Sequence, residues 1–251
     1  MIVLTTILSF FGGLIYGSFL NALLWRLPEG RGMGGRSHCR SCNHVLAWYD
    51  LIPIISFVLL RAKCRYCHGT IHIRYPLVEL ATGLMVGLFF ATQTPIANIE
   101  TVLSVFGILI FVSLFFFDLF YFILPDVIIF PAIIIYGLYD FLMTPHFLTF
   151  VLTALLLSAF FAILYLASRG KKLGLGDVKI AILIGLVLGY PLGALSIIFG
   201  VWLATFVALV LLLLKKVGMK DAIPLGSFLA FSTLLCLIFQ NEILSITKLF
   251  I

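Results

Sequence analysis

Apolar residues in this chain are gathered into long runs separated by short polar breaks. A membrane-spanning helix needs about 20 predominantly apolar residues. Eight stretches approach that length: 1–25, 76–93, 98–117, 124–143, 147–168, 177–190, 192–214 and 223–240. The sixth is short, and Pro191 separates it from the seventh. Residues 26–75 are too polar to cross, and their apolar middle, Leu51 to Leu60, suits a buried or interfacial segment. The pattern predicts an all-α, polytopic membrane helical bundle of about eight spans. Its expected parts are a first span (1–25), one cytoplasmic cysteine-rich loop domain (26–75) and a transmembrane bundle (76–251), with no internal repeat.

Composition sharpens this. Hydrophobic residues make up 63% and charged residues 10% of the chain, against roughly 45–50% and about 25% in soluble domains. The first run has no basic residue before it and is too long for a signal-peptide core, so it reads as a retained span.

Charge then orients the spans. Lys and Arg cluster after span one (Arg26, Arg31, Arg36, Arg40, Arg61, Lys63, Arg65, Arg74), after span five (Arg169, Lys171, Lys172) and after span seven (Lys215, Lys216, Lys220). Eight spans put all of these on one face, which the positive-inside rule makes cytoplasmic, with the N-terminus outside and only Lys248 opposite. The net charge of +6 is accounted for by this topology and by anionic lipid headgroups. It requires no nucleic-acid partner.

Four of the five cysteines form two CxxC pairs, Cys39/Cys42 and Cys64/Cys67. Two thiolates on each of two tight turns complete a tetrahedral four-sulfur site, the ligand set of a structural zinc with no open position for catalysis. A cytoplasmic loop is reducing, which favours metal over disulfides. His38, His44, His68 and His72 read as surface residues, and Cys236 as a small core residue.

Acids are scarce, so those at membrane depth stand out. Asp118 ends the third run, ahead of Pro125 and Asp126; Asp177 opens the sixth, in Gly174-Leu-Gly176-Asp177. Two carboxyls that meet can share a proton, one activating water while the other donates to a carbonyl. Gly174 and Gly176 are expected to let the chain bend, and Pro125 to redirect a helix. Acids at span ends also serve as simple interface markers. Asp126 competes for the first role or acts as a helix cap, Lys179 snorkels to headgroups or biases the acid pair, and Asp140 belongs near the opposite face.

Several motifs run in order from about residue 10 to 185. They are Gly17-Ser-Phe-Leu-Asn21 with Arg26-Leu-Pro28, the double CxxC, Trp48-Tyr-Asp-Leu-Ile-Pro53, Arg74-Tyr-Pro-Leu-Val-Glu-Leu80, Asp118 through Asp126, and Gly174-Leu-Gly-Asp-Val-Lys179. Together they resemble the type IV prepilin peptidases, bifunctional leader peptidase/N-methyltransferases and GxGD-type aspartyl proteases. That resemblance implies an enzyme of the bacterial cytoplasmic membrane that removes the basic leader of prepilins or pseudopilins at the cytoplasmic face. Asp118 and Asp177 would be its catalytic acids. It also implies N-methylation of the new terminus with S-adenosylmethionine, tied to the N-terminal loop. The chain departs at Ser41, where relatives often carry Pro, and at Phe120, where they often carry a second acid. No GxGxxG follows a strand pattern, so a cofactor site would not be a Rossmann crevice. The competing expectations are a proton- or ion-coupled transporter and a zinc-anchored membrane assembly protein.

Overall fold

A computed structural model describes residues 2–93, 98–170, 173–218 and 221–247, and no strand occurs among them. The basic residues Lys171, Lys172, Lys220 and Lys248 lie outside the described residues. Helices are α1 (Ile2–Arg26), α2 (Ile55–Leu59), α3 (Arg74–Thr92), α4 (Ile99–Tyr121), α5 (Asp126–Met143), α6 (Phe147–Ala167), α7 (Leu175–Leu188), α8 (Leu192–Leu213), α9 (Leu225–Ile238) and α10 (Gln240–Thr247).

Each of the eight expected spans coincides with one of these helices. Six (α1, α3, α4, α5, α6 and α8) are long and apolar enough to cross a membrane. The other two, α7 and α9, have only 14 residues each, about 21 Å of helix. The run at 177–190 is no longer than α7, while that at 223–240 outlasts α9 because the backbone bends at its C-terminal end. Gly189 in the left-handed region and Pro191 stop α7, and an 84° bend separates α9 from α10. These short helices are well enclosed: Ile180, Ala181, Leu183 and Ile184 of α7, and Leu229 and Ala230 of α9, are fully buried.

The chain divides into two compact units, Met1–Ile96 and Ala97–Ile251. In the first, α3 packs along α1; the sequence had grouped it with the later bundle. The contact runs through small residues. A Cβ added at Gly13 would lie 2.8 Å from Gly83 Cα, and one at Gly17 only 2.6 Å from Glu79 Cα. Between membrane helices the driving force is close packing of this kind, since lipid tails are as apolar as leucine.

The second unit is built around α4, whose middle and C-terminal half are buried. Helix α9 packs on α4 and α8, and α7 on α6 and α5. Polar residues also tie α8 to α9: the Ser196 and Thr233 hydroxyls lie 2.9 Å apart in the core.

Candidate active site

Helix α4 ends because the chain ahead of Pro125 cannot stay helical. Phe122 turns left-handed (φ 55°) and its N–H donates to the Asp118 carbonyl at 2.9 Å. This terminal turn leaves Asp118 at the buried end of the helix, 7% exposed. Helix α7 starts at Gly174, and Asp177 in its first turn accepts the Gly174 N–H at 3.3 Å, half of a capping box. Both aspartates line one recess of about 590 Å³ in the second unit, with Asp126, Gly174, Gly176 and Lys179 also on its wall. The two carboxyls are close enough to interact electrostatically. The recess is closed on another side by Ile223, Pro224 and Leu225, at the start of α9.

Pro125 is the residue preceding α5. Asp126 follows it, and its side chain caps nothing. Instead Asp126 Oδ1 accepts from Lys179 Nζ at 2.6 Å, with the ammonium also 5.3 Å from the Phe130 ring. Lys179 thus has a protein carboxylate as a partner, between the N-terminal turns of α7 and α5. The glycines also act differently from expectation. Gly174 has an ordinary φ of −86°, so no left-handed bend is needed there. Gly176 is close-packed: an added Cβ would meet Leu124 Cδ1 at 3.0 Å, so that side chain would have to give. Asp140 lies toward the far end of α5 from Asp126, buried, with Oδ2 lacking a partner.

Sequence reasoning missed Ser227 altogether. Its backbone N–H and its hydroxyl both donate to Asp118 Oδ2, at 2.5 and 2.9 Å. Gly226 allows this approach, since a Cβ there would come within 3.1 Å of the Asp118 carboxyl carbon. The available signal was the break Pro224-Leu-Gly-Ser at the start of an apolar run.

In the first unit the four cysteine Sγ atoms of Cys39, Cys42, Cys64 and Cys67 lie within 4.8 Å of one another. The Cys39 and Cys67 sulfurs are 3.8 Å apart, matching the roughly 3.8 Å edge of a tetrahedron with Zn–S bonds of about 2.3 Å. The histidines are not part of this cluster: His44 stacks on Tyr66 at 3.8 Å, and His72 Nδ1 accepts the Arg74 N–H. The cysteines sit on two turns of one design. Asn43 N–H bonds the Cys39 carbonyl as His68 N–H bonds that of Cys64. Asn43 and His68 are both left-handed, and the bridges His38–Val45 and Lys63–Thr70 close the two turns. Every one of these positions is shifted by 25 residues between the turns. The chain thus holds a short internal repeat, which two sequences differing at most other positions conceal. Burial works to raise the Cys39 thiol, but bonds from the Cys42 and Ser41 backbone and from Cys64 and Cys42 outweigh it, bringing it down to about 6. A thiolate-ready cysteine suits metal ligation.

Between the turns, Asp50 anchors the loop. It accepts from the Arg65 guanidinium (2.8 Å), the Tyr66 hydroxyl (3.1 Å) and the Ala47 N–H (3.3 Å). Burial acts to raise its carboxyl, but these donors, Arg65 foremost, hold it below the ordinary carboxylate range. A depressed folded value stabilises above the unfolded value, about 3.9, and that stabilisation disappears as pH falls through the folded one. We expect residues 47–51 to be better protected from hydrogen exchange in wild type than in Asp50→Asn at pH 7. The gap should narrow as pH falls below about 3.9 and close as it passes the depressed folded value. A gap of unchanged size throughout the acid titration would contradict the ionic anchor.

A family model described as the Bacterial Peptidase A24 N-terminal domain matches residues 11–93. Among curated proteins, the chain is 30% identical over 280 residues to a prepilin leader peptidase/N-methyltransferase of Pseudomonas aeruginosa, covering 96% of this chain and 91% of that protein. It is 29% identical over 269 residues to one of Aeromonas hydrophila, covering 94% and 91%. A shorter match, 45% identical over 115 residues, covers 45% of this chain and 33% of the Myxococcus xanthus protein of the same name. No solved structure matches. With the relatives spanning both the cysteine loop and the aspartate recess, the chain belongs to the prepilin leader peptidase/N-methyltransferase family.

Proposed function

We propose that this multi-pass membrane protein hydrolyses the leader of a prepilin or pseudopilin with Asp118 and Asp177, and then N-methylates the new terminus with S-adenosylmethionine. The recess shared by the two aspartates carries the proteolytic reading. Asp118 Oδ2 is engaged by both Ser227 donors, leaving Oδ1 to hold a water. With one proton between the two carboxyls, one takes a proton from the attacking water as the other gives its proton to the scissile carbonyl; on collapse the first passes its proton to the departing amine while the second recovers one from the gem-diol hydroxyl. The pair titrates as a unit, with macroscopic values. Asp126 balances the charge of Lys179, so the lysine does not draw the shared proton off the pair.

We place the aspartates at the cytoplasmic face of the inner membrane, on the distribution of basic loops. The four cysteines would hold a zinc that supplies structure to the loop and no chemistry, since it has no open ligand position. The transporter alternative needs acids near the bilayer midplane in repeated halves. Here the acids terminate helices instead, at the last turn of α4 and the first turn of α7.

Incubating the purified protein with a prepilin leader peptide and reading product masses tests both activities. Cleavage after the leader is expected, and one added methyl on the mature fragment when S-adenosylmethionine is present. An intact peptide would overturn the proteolytic reading, and an unmethylated product the second activity. Ser227→Ala removes one of two donors to Asp118 while sparing the backbone N–H. A hydrogen bond to a charged group is worth about 1.5–3 kcal/mol, so cleavage should slow roughly 10- to 100-fold. Its pH–rate profile should shift as well, which loss of packing alone would not do.

A further inference from the structure

The apolar middle of the cysteine loop has one face that the described residues leave uncovered. In α2, Ile55, Val58 and Leu59 fall at helical spacing on one side and are exposed, Leu59 to 76%. The opposite side, Ser56, Phe57 and Leu60, turns inward and lines a cavity of the first unit. Ahead of α2, Trp48 is 77% exposed, and Tyr49 and Leu51 beside it are exposed too. Neither the 3₁₀ turn (Trp48–Leu51) nor α2 has a buried residue. Single surface leucines are ordinary, but large apolar side chains gathered this closely mark a contact surface.

The depth of this segment identifies what it contacts. Two hydrogen bonds tie it to the paired helices α1 and α3. Ser18 Oγ donates to the Leu51 carbonyl at 3.2 Å, and Glu79 Oε2 accepts the Ile54 N–H at 2.8 Å. Ser18 precedes Arg26, the basic end of α1, by eight residues, and Glu79 follows Arg74, the basic start of α3, by five. At about 1.5 Å per residue the two anchors sit about 12 and 8 Å along the spans from those ends. Basic residues at span ends lie at headgroup level, so the anchors belong to the apolar part of the membrane. The chain takes a strained course to reach them. Ile55 N–H bonds the Pro53 carbonyl at 2.5 Å across Ile54, which adopts φ 60° and ψ −48°, close to the rare γ-turn.

Charge agrees with depth. Helix α2 closes with a Schellman pair, Ala62 N–H to the Phe57 carbonyl at 2.9 Å and Arg61 N–H to the Val58 carbonyl at 3.0 Å. Arg61 is its left-handed residue, φ 51°, at a position that glycine usually takes. An arginine there sets a cation at the end of the apolar face, and Lys63 adds another. Both are exposed, and among the described residues neither forms an ion pair, whereas Arg65 is held by Asp50. Apolar side chains fixed at this depth, with unpaired cations beside them, match an anionic lipid surface.

We propose that residues 48–63 insert into the lipid leaflet on the loop's side of the membrane. Trp48, Ile55, Val58 and Leu59 enter the upper acyl chains, and Arg61 and Lys63 take the phosphates of anionic phospholipid. This surface depends on neither catalytic activity. It holds the second cysteine turn, which begins at Cys64, against the membrane.

Tryptophan quenching of the full chain in vesicles of phosphatidylcholine and phosphatidylglycerol tests this, the emission lost in Trp48→Phe defining the Trp48 component. That component should be quenched by phospholipid brominated on the upper acyl carbons and should be several-fold less open to aqueous iodide than free tryptophan. Leu59→Glu, at a position with little packing to lose, should raise iodide access several-fold. Arg61→Gln combined with Lys63→Gln should lower lipid quenching to the level of wild type in phosphatidylcholine alone. Trp48 open to iodide and untouched by brominated lipid would put the segment in water and overturn the proposal. Trp48 shielded from both quenchers would mean that a protein, such as a second copy of the chain, covers the patch, and would overturn it equally. Lipid quenching that neither these substitutions nor vesicle charge alters would do the same.

Discussion

Asp118→Asn and Asp177→Asn should each lower prepilin cleavage by at least about 10³-fold, because each removes one half of a proton exchange that general acid–base catalysis makes worth about 10²–10⁴. The two losses should not add. Once one carboxyl is gone the other has no partner, so the double variant should be about as slow as either single one. Both variants should insert and fold, since Asn retains an oxygen to accept from Ser227 at 118 and from the Gly174 N–H at 177. Initial rates on a leader peptide, with membrane insertion measured alongside, provide the check. Near-normal cleavage by either single variant would remove the dyad from the mechanism.

Cys64→Ser is expected to reduce bound zinc from about one ion per chain to nearly none, and to open residues 36–72 to limited proteolysis. Cys64 is the most enclosed of the four cysteines, 5% exposed. Binding energies of structural zinc in small modules run to about 10–16 kcal/mol, and this loop has few alternatives. None of its 3₁₀ turn (Trp48–Leu51) or α2 residues is buried. Elemental analysis on purified protein reads the first effect, and protease digestion the second. A protease-resistant loop in metal-free protein would mean that the loop folds without the ion.

The helices were legible in the sequence because long apolar runs bounded by Gly, Pro or charge have few other solutions in a membrane. Asp118 and Asp177 were legible as candidates for a related reason, the cost of placing an acid there. What escaped was the pairing between elements far apart in the chain. Ser227 reaches Asp118 across 109 residues, and nothing local to a serine in an apolar run announces which helix end it will meet. Lys179 and Asp126, 53 residues apart, were each read against the lipid and not against one another. Gly174 and Gly176 looked equivalent on paper. Only packing against Leu124 distinguishes the second. The doubled turn escaped because its repeat lies in hydrogen bonds and backbone signs, while the intervening side chains diverge.

The shortness of α7 and α9 has a consequence for water. Helices of this reach fall short of a bilayer's hydrocarbon thickness of about 30 Å, and since neighbouring helices enclose both, the non-helical backbone at their ends is tolerable only where protein or a water-filled recess surrounds it. The aspartate recess lies at the start of both helices, so hydrolytic water would reach the acids along protein walls and not through lipid.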